Sequence, residues 1–124
     1  MDIEMLMRMQ RELYEKHRDT WDPLQPEYAR NSLLWLVEEV GEVVAIFKKR
    51  GERETAQNPQ LREAFLTEMS DVLMYYIEAL RRFQVTPEEL GTAYIQKFQK
   101  NMSRNYDDEY RKQHDLLEDQ RHSK

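Results

Sequence analysis

Leu33–Lys49, LLWLVEEVGEVVAIFKK, is the stretch whose reading decides the fold. Leu33, Leu36, Val37, Val40, Val44 and Phe47 recur at helical spacing and form the expected core stripe. Trp35, Glu39, Glu42, Ile46 and Lys49 fall on a different side of the same helix, a face of mixed polarity that a pure scaffold helix does not need. Glu39 and Glu42 stand three residues apart, as do Glu68 and Asp71 further on, so in helices each pair shares a face. Two such faces opposite one another make a cage of carboxylate oxygens. Carboxylates beside aliphatic stripes repel each other and lose hydration, a cost that a hard divalent cation offsets. Mg²⁺, which takes oxygen ligands and keeps several waters, is the expected occupant, with Mn²⁺ as a substitute.

The surrounding composition agrees with helices. Among 124 residues, 40% are hydrophobic and 35% charged, with only three Gly and four Pro, which favours long amphipathic helices in one domain over sheet. A formal net charge of −5 with no long Lys/Arg block argues against a nucleic-acid polymer as partner. The absence of Cys excludes thiol catalysis, disulfides and thiolate metal sites. No apolar run is long enough to span a bilayer, and Met1-Asp2-Ile3-Glu4 lacks a basic start followed by an apolar run. A cytoplasmic protein without a membrane partner is expected.

Working outward, residues 3–18 read as a first helix with a Met-rich apolar face. Thr20-Trp21-Asp22-Pro23-Leu24-Gln25-Pro26 reads as a loop, because two prolines remove donors and push their predecessors into extended backbone. The second helix runs from about Glu27 to Arg50 and stops at Gly51, its last-turn cations facing the negative end of the helix dipole. Glu52 to Asn58 reads as a short polar connection. Asn58-Pro59 then supplies an N-cap and a first-position Pro for a third helix reaching Phe83, with Met69, Val72, Leu73, Tyr76, Leu80 and Phe83 as its apolar stripe. Thr86-Pro87-Glu88-Glu89 has the pattern of a capping box and opens a fourth helix to about Asn105. On it Lys97, Asn101 and Arg104 share a stripe, a cationic wall for the acidic site. The expected organisation is a domain over residues 1–106 and a charged tail over 107–124, either a weakly specified helix or disordered.

Other chemistries fit poorly. A di-iron site draws His from Glu-x-x-His pairs, which neither acidic motif has, and no Gly-x-Ser-x-Gly or phosphate-cradling Gly-rich loop occurs. Metal, carboxylates and a Lys/Asn/Arg face together suit hydrolysis of a phosphoanhydride. Glu38-Glu39-x-x-Glu42, Glu68-x-x-Asp71 and Lys97-x-x-x-Asn101-x-x-Arg104-x-Tyr106, in this order and spacing, resemble the MazG-like all-α nucleoside triphosphate pyrophosphohydrolases. The likeness covers about Arg11 to Tyr106. It looks closest to the dCTP pyrophosphatase branch, through Arg30-Asn31, Glu39-Val40-Gly41-Glu42 and Ser70-Asp71-Val72-Leu73.

The resemblance implies an all-α four-helix bundle completed by dimerisation, as a homodimer or homotetramer. It implies Mg²⁺ held by Glu39, Glu42, Glu68 and Asp71, and cleavage of a (d)NTP to (d)NMP and pyrophosphate, in a role such as nucleotide-pool sanitation. Glu38 is the candidate base beside Glu39, or else a solvated residue. Lys97, Asn101 and Arg104 are expected on the phosphates, with Lys49 and Asn31 joining the substrate-binding set. Trp21 matches the branch's loop Trp and is either a base platform or a core plug. Lys49 stands where that branch shows a second Trp, so Trp35 is the substitute stacking surface and the base preference stays open. Two further readings remain: a phosphoribosyl-ATP pyrophosphohydrolase-like enzyme, and a non-catalytic nucleotide-binding helical dimerisation module.

Overall fold

A computed structural model describes residues 1–104 and the helical backbone of 106–122, with side chains in the latter at 109 and 111–118. Asn105 and the side chains of Tyr106 and Tyr110 lie outside the described residues. The chain is all-helical, with no strand among the described residues: α1 (Ile3–Lys16), α2 (Ala29–Arg50), α3 (Glu52–Gln57), α4 (Pro59–Arg81), α5 (Pro87–Ser103) and α6 (Tyr106–His122). A 3₁₀ turn over Pro26–Tyr28 precedes α2. None of these helices is long and apolar enough to cross a membrane.

Local chemistry explains the boundaries. Asp2 caps α1 by accepting from Met5 N at 2.9 Å. Gly51, at φ 83°, ends α2 in a backbone conformation that suits glycine, its N–H bonding Phe47 O at 2.7 Å. Asn58 Oδ1 accepts from Gln60 N and Leu61 N at the start of α4, where Pro59 needs no donor. Between them, Glu52–Gln57 is a short helix rather than the expected connection. Thr55 Oγ1 donates to Gly51 O at 2.8 Å, and Arg50 pairs with Glu54 across the junction, so a polar hexapeptide is held helical by its ends.

Two compact units divide the chain, Met1–Pro87 and Glu88–Lys124. In the first, α2 against α4 is the main packing seam. Trp35 lies against Tyr75 at 5.9 Å between ring centroids, and Phe47 lies against Phe65 at 5.9 Å. An early residue of α2 thus meets a late one of α4 and vice versa, which makes the pair antiparallel. That register sets Glu39 and Glu42 opposite Asp71 and Glu68.

The seam corrects the expected core. The mixed face of α2, joined by Phe47 of the apolar stripe, turns toward α4; Leu33, Val37, Val40 and Val44 are exposed, with Val37 64% and neighbouring Leu34 60% accessible. On α4, Met69, Leu73 and Tyr76 of the expected stripe are exposed too. The buried apolar side chains are few, Met7, Tyr14, Ala29, Val43, Ile77 and Ala79, and nearly as many buried residues are polar. An amphipathic helix with two usable faces must choose one for its own chain, and here the acids take the seam while the aliphatic stripe stays outside.

At the other end of α4 a buried polar network ties the loop to the helices. Arg82 Nη1 donates to Glu78 Oε2 at 2.7 Å, and Arg81 Nη1 to Glu78 Oε1 at 3.1 Å. The carbonyl of Asp22 accepts from Arg82 Nη2 at 3.0 Å and from the Tyr14 hydroxyl at 3.1 Å. Asn31 Nδ2 donates to Asp22 Oδ2 at 3.1 Å. The expected loop is therefore present and pinned from α1, α2 and the end of α4. In the second unit α5 has no buried residue, and Arg104 pairs with Glu109 of α6.

Candidate active site

Three carboxylates meet across the seam. One oxygen each from Glu39, Glu42 and Glu68 lies within 4.8 Å of the others. The i, i+3 spacing puts both α2 acids on the face that the antiparallel register turns to Glu68. Asp71, expected as the fourth member, stands outside that group; its charge nevertheless pushes up Glu39.

Crowding of like charges shows in the protonation of the cluster. The Glu39 carboxyl is raised to about 7, first because its protonated form can bond Glu68, then through burial and the charges of Glu42, Glu68 and Asp71. Glu42 is raised as well, chiefly by the same bond and charge at Glu68. Two ionised carboxylates have no proton to share, and Glu39 Oε2 and Glu68 Oε2 are both buried without a hydrogen-bond partner. Orphaned oxygens in an all-carboxylate donor set fit a hard divalent cation, which supplies the missing positive charge.

Beside the cluster opens a cavity of about 430 Å³, in the size range of small-molecule sites. Asp71 and Tyr75 of α4 line it, and both neighbour the acids: burial and the charges of Glu39 and Asp71 raise the Tyr75 hydroxyl. Trp21 from the loop and Trp35 from α2 line the same cavity, so the structure brings the two expected base-binding residues together. Trp21 stacks on His17 at 4.9 Å and 17°, while Trp35 tilts against Tyr75.

The remaining expected residues fall in both units. Glu38 and Lys49 are exposed on α2, and Asn31 spends its amide on Asp22 at the base of the loop. Lys97 and Asn101 on α5, and Arg104 just past it, belong to the second unit. Sequence reasoning missed Gln10, Ser32, Glu78 and Arg82, which line the cavity and are all buried. A signal existed for some of them. Gln10 interrupts the Met7/Tyr14 stripe of α1, and Glu78 stands within the apolar run Ile77–Leu80 of α4, four residues before Arg82 at the helix C-cap.

A family model of dATP/dGTP pyrophosphohydrolases matches residues 35–122, from the first acidic motif to the end of α6. No curated protein and no solved structure matches the chain. The matched family is described by purine deoxynucleotides, not by the dCTP branch that the sequence motifs most resemble. With well over half of its length matched, the chain belongs to the MazG-like dATP/dGTP pyrophosphohydrolase family, a family of hydrolases acting on phosphoanhydride bonds.

Proposed function

We propose that the chain hydrolyses a purine deoxynucleoside triphosphate, dATP or dGTP, to the monophosphate and pyrophosphate with Mg²⁺, as a nucleotide-pool enzyme of the cytoplasm. The observation that carries this reading is the nearness of the three-carboxylate cluster to an aromatic cavity, whose lining residue Asp71 is close enough to raise Glu39 by its charge. A purine in the cavity, against Trp21 and Trp35, directs its phosphates toward the acids. Glu39, Glu42, Glu68 and Asp71 would hold the cation, and a bound Mg²⁺ neutralises phosphate oxygens and orients the attacking water.

Glu38, next to the ligands and open to solvent, takes the proton that the water loses as its oxygen bonds phosphorus and the bond to the pyrophosphate breaks. From the sequence motifs alone, this reading also assigns Lys97, Asn101, Arg104, Lys49 and Asn31 to the phosphates. The uncovered stripes of α2 and α4 support a helical bundle completed in a homodimer or homotetramer. Residues 1–106 form the catalytic domain of this account, with 107–124 as an appended charged segment.

The test is a panel of the four dNTPs and four NTPs assayed for pyrophosphate with Mg²⁺ and with chelator. Release from dATP and dGTP that vanishes on chelation is the expected result. Tight nucleotide binding with no release from any member would instead support the non-catalytic module.

A further inference from the structure

A second cavity, of about 200 Å³, opens where α1 meets the end of α4, and it shares no lining residue with the aromatic one. All of its lining belongs to the unit Met1–Pro87. Met7, Val85 and Pro87 give it apolar walls, while Arg11 and Arg81 bring two guanidinium groups to it and no carboxylate lines it. In a chain of net charge −5, two cations around one cavity without an acid make a local field opposite to that of the whole molecule.

Both cations keep bonding capacity. Arg11 is exposed and has no hydrogen-bonding or ionic partner among the described residues. Arg81 spends Nη1 on Glu78 Oε1 at 3.1 Å, and the same atom reaches the Gln10 carbonyl at 3.5 Å. Its Nε and Nη2 make no hydrogen bond among the described residues, and neither is sealed from solvent. Glu78 and the Tyr14 ring, whose centroid is 5.0 Å from Arg81 Cζ, hold the guanidinium in place, so its open donors are preorganised.

Gln84 also lines the cavity, at φ 55°, a left-handed conformation uncommon for residues other than glycine. The turn around it is one that glycine usually ends: Val85 N–H bonds Leu80 O at 3.2 Å and Gln84 N–H bonds Arg81 O at 3.0 Å. Glycine would hold this turn without strain, and a role for the Gln84 amide at the cavity explains the side chain there.

Guanidinium groups on two different segments meet an anion from two directions. A planar carboxylate satisfies one fork, whereas a phosphate group offers three or more acceptor oxygens and up to two charges, enough for both forks and an amide. We propose that Arg11, Arg81 and Gln84 form a second binding site, for a small phosphate-class oxyanion. Its occupancy reaches the loop, because Arg81 shares Glu78 with Arg82 and Arg82 holds the Asp22 carbonyl beside Trp21. An anion that takes up part of the Arg81 charge changes that hold. The site does not depend on the hydrolase reading.

The experiment titrates the nitrogen-labelled full chain, stripped of metal, with inorganic phosphate, pyrophosphate, dAMP and acetate. NMR follows the Nε–H signals of Arg11 and Arg81, the Gln84 amide and the Trp21 indole. Saturable shifts at both arginines are expected with phosphate or pyrophosphate in the millimolar range, with acetate weaker by about ten-fold or more. Arg11→Ala removes an exposed, unpartnered side chain and is expected to weaken binding by about ten-fold or more. Arg8→Ala makes the same charge change one turn earlier on α1, outside the cavity, and is expected to leave binding within about two-fold. Shifts with dAMP identify a nucleotide phosphate as a source, and shifts with phosphate and pyrophosphate alone identify the free anion; both support the site. Absence of saturable shifts, or equal losses in the two variants, overturns it, and acetate binding as tightly as phosphate overturns the ligand class. A Trp21 indole that stays fixed while the arginines saturate overturns the link to the loop.

Discussion

Glu39 on α2 and Glu68 on α4 each bury one carboxylate oxygen, Oε2, with no hydrogen-bond partner, in a cluster where a third carboxylate, Glu42, adds further negative charge. An arrangement this unfavourable without a cation has consequences that can be measured on the protein alone.

The first concerns pH. Glu39 has a folded-state value of about 7 against an ordinary 4.5, so the folded protein binds this proton more tightly than the unfolded chain does. Its stabilising contribution is complete below about 4.5 and is lost as pH rises through about 7. Glu54 and Glu109, lowered by Arg50 and Arg104, change stability only below their ordinary value and do not mask this window. Metal-free protein should therefore melt at lower temperature at about pH 8 than at about pH 5, with Mg²⁺ restoring much of the loss at the higher pH. A calorimetric Tm that is flat or rises over that range in chelator contradicts the cluster.

Removing one charge should have opposite effects with and without cation. Glu68→Gln relieves repulsion on Glu39 and Glu42 and gives Glu39 a neutral amide to bond. Its Tm in chelator at about pH 8 should rise by about 2–5 °C, and its stabilisation by Mg²⁺ should largely disappear. Thermal scans of both proteins, with and without Mg²⁺, read the two effects separately. A variant that melts lower in chelator and keeps the Mg²⁺ shift would show that Glu68 is not a ligand.

A third expectation concerns the loop. Arg82 shares buried Glu78 with Arg81 and alone of the two holds the Asp22 carbonyl, so Arg82→Ala leaves Glu78 to Arg81, empties a buried position and frees the loop at once. Equilibrium urea unfolding should show a loss of about 3 kcal/mol, with Trp21 fluorescence shifted to the red before global unfolding. Replacing Glu78 and Arg82 together by Leu should cost less than the sum of the single losses. Additive losses would mean the pair is not coupled.

These relationships were only partly legible in the residues. The acidic pairs were readable because i, i+3 spacing on a helix leaves no freedom about a shared face, and Gly51, Asn58-Pro59 and Pro87 mark helix ends by backbone chemistry alone. Which face of α2 meets α4 was not readable, since Leu33/Val37/Val44 and Trp35/Glu39/Glu42 are both consistent helical stripes. Only the pairing of whole helices decides between them. The short α3 has no apolar period to detect. Glu78 and Arg82 look like a solvated i, i+4 pair until tertiary packing buries them, and the burial of Gln10 and Ser32 beside the cavity shows only once the helices are packed.

Exposure of Leu34, Val37 and Leu66 leads to a further expectation. Aliphatic stripes of this extent on α2 and α4 favour self-association, so the chain should sediment as a dimer or tetramer at micromolar concentration. Val37→Asp should shift it toward monomer. A wild-type chain that is monomeric throughout the concentration range contradicts the proposed bundle.

Pyrophosphate release from dGTP by the wild-type chain and by Asp71→Asn, each with Mg²⁺ and with chelator, tests the central claim most directly. Asp71 lines the cavity and raises Glu39 by its charge, so the account predicts Mg²⁺-dependent release by the wild type and a fall of at least about 100-fold in the variant. Equal release by both proteins, or release that persists in chelator, would contradict it.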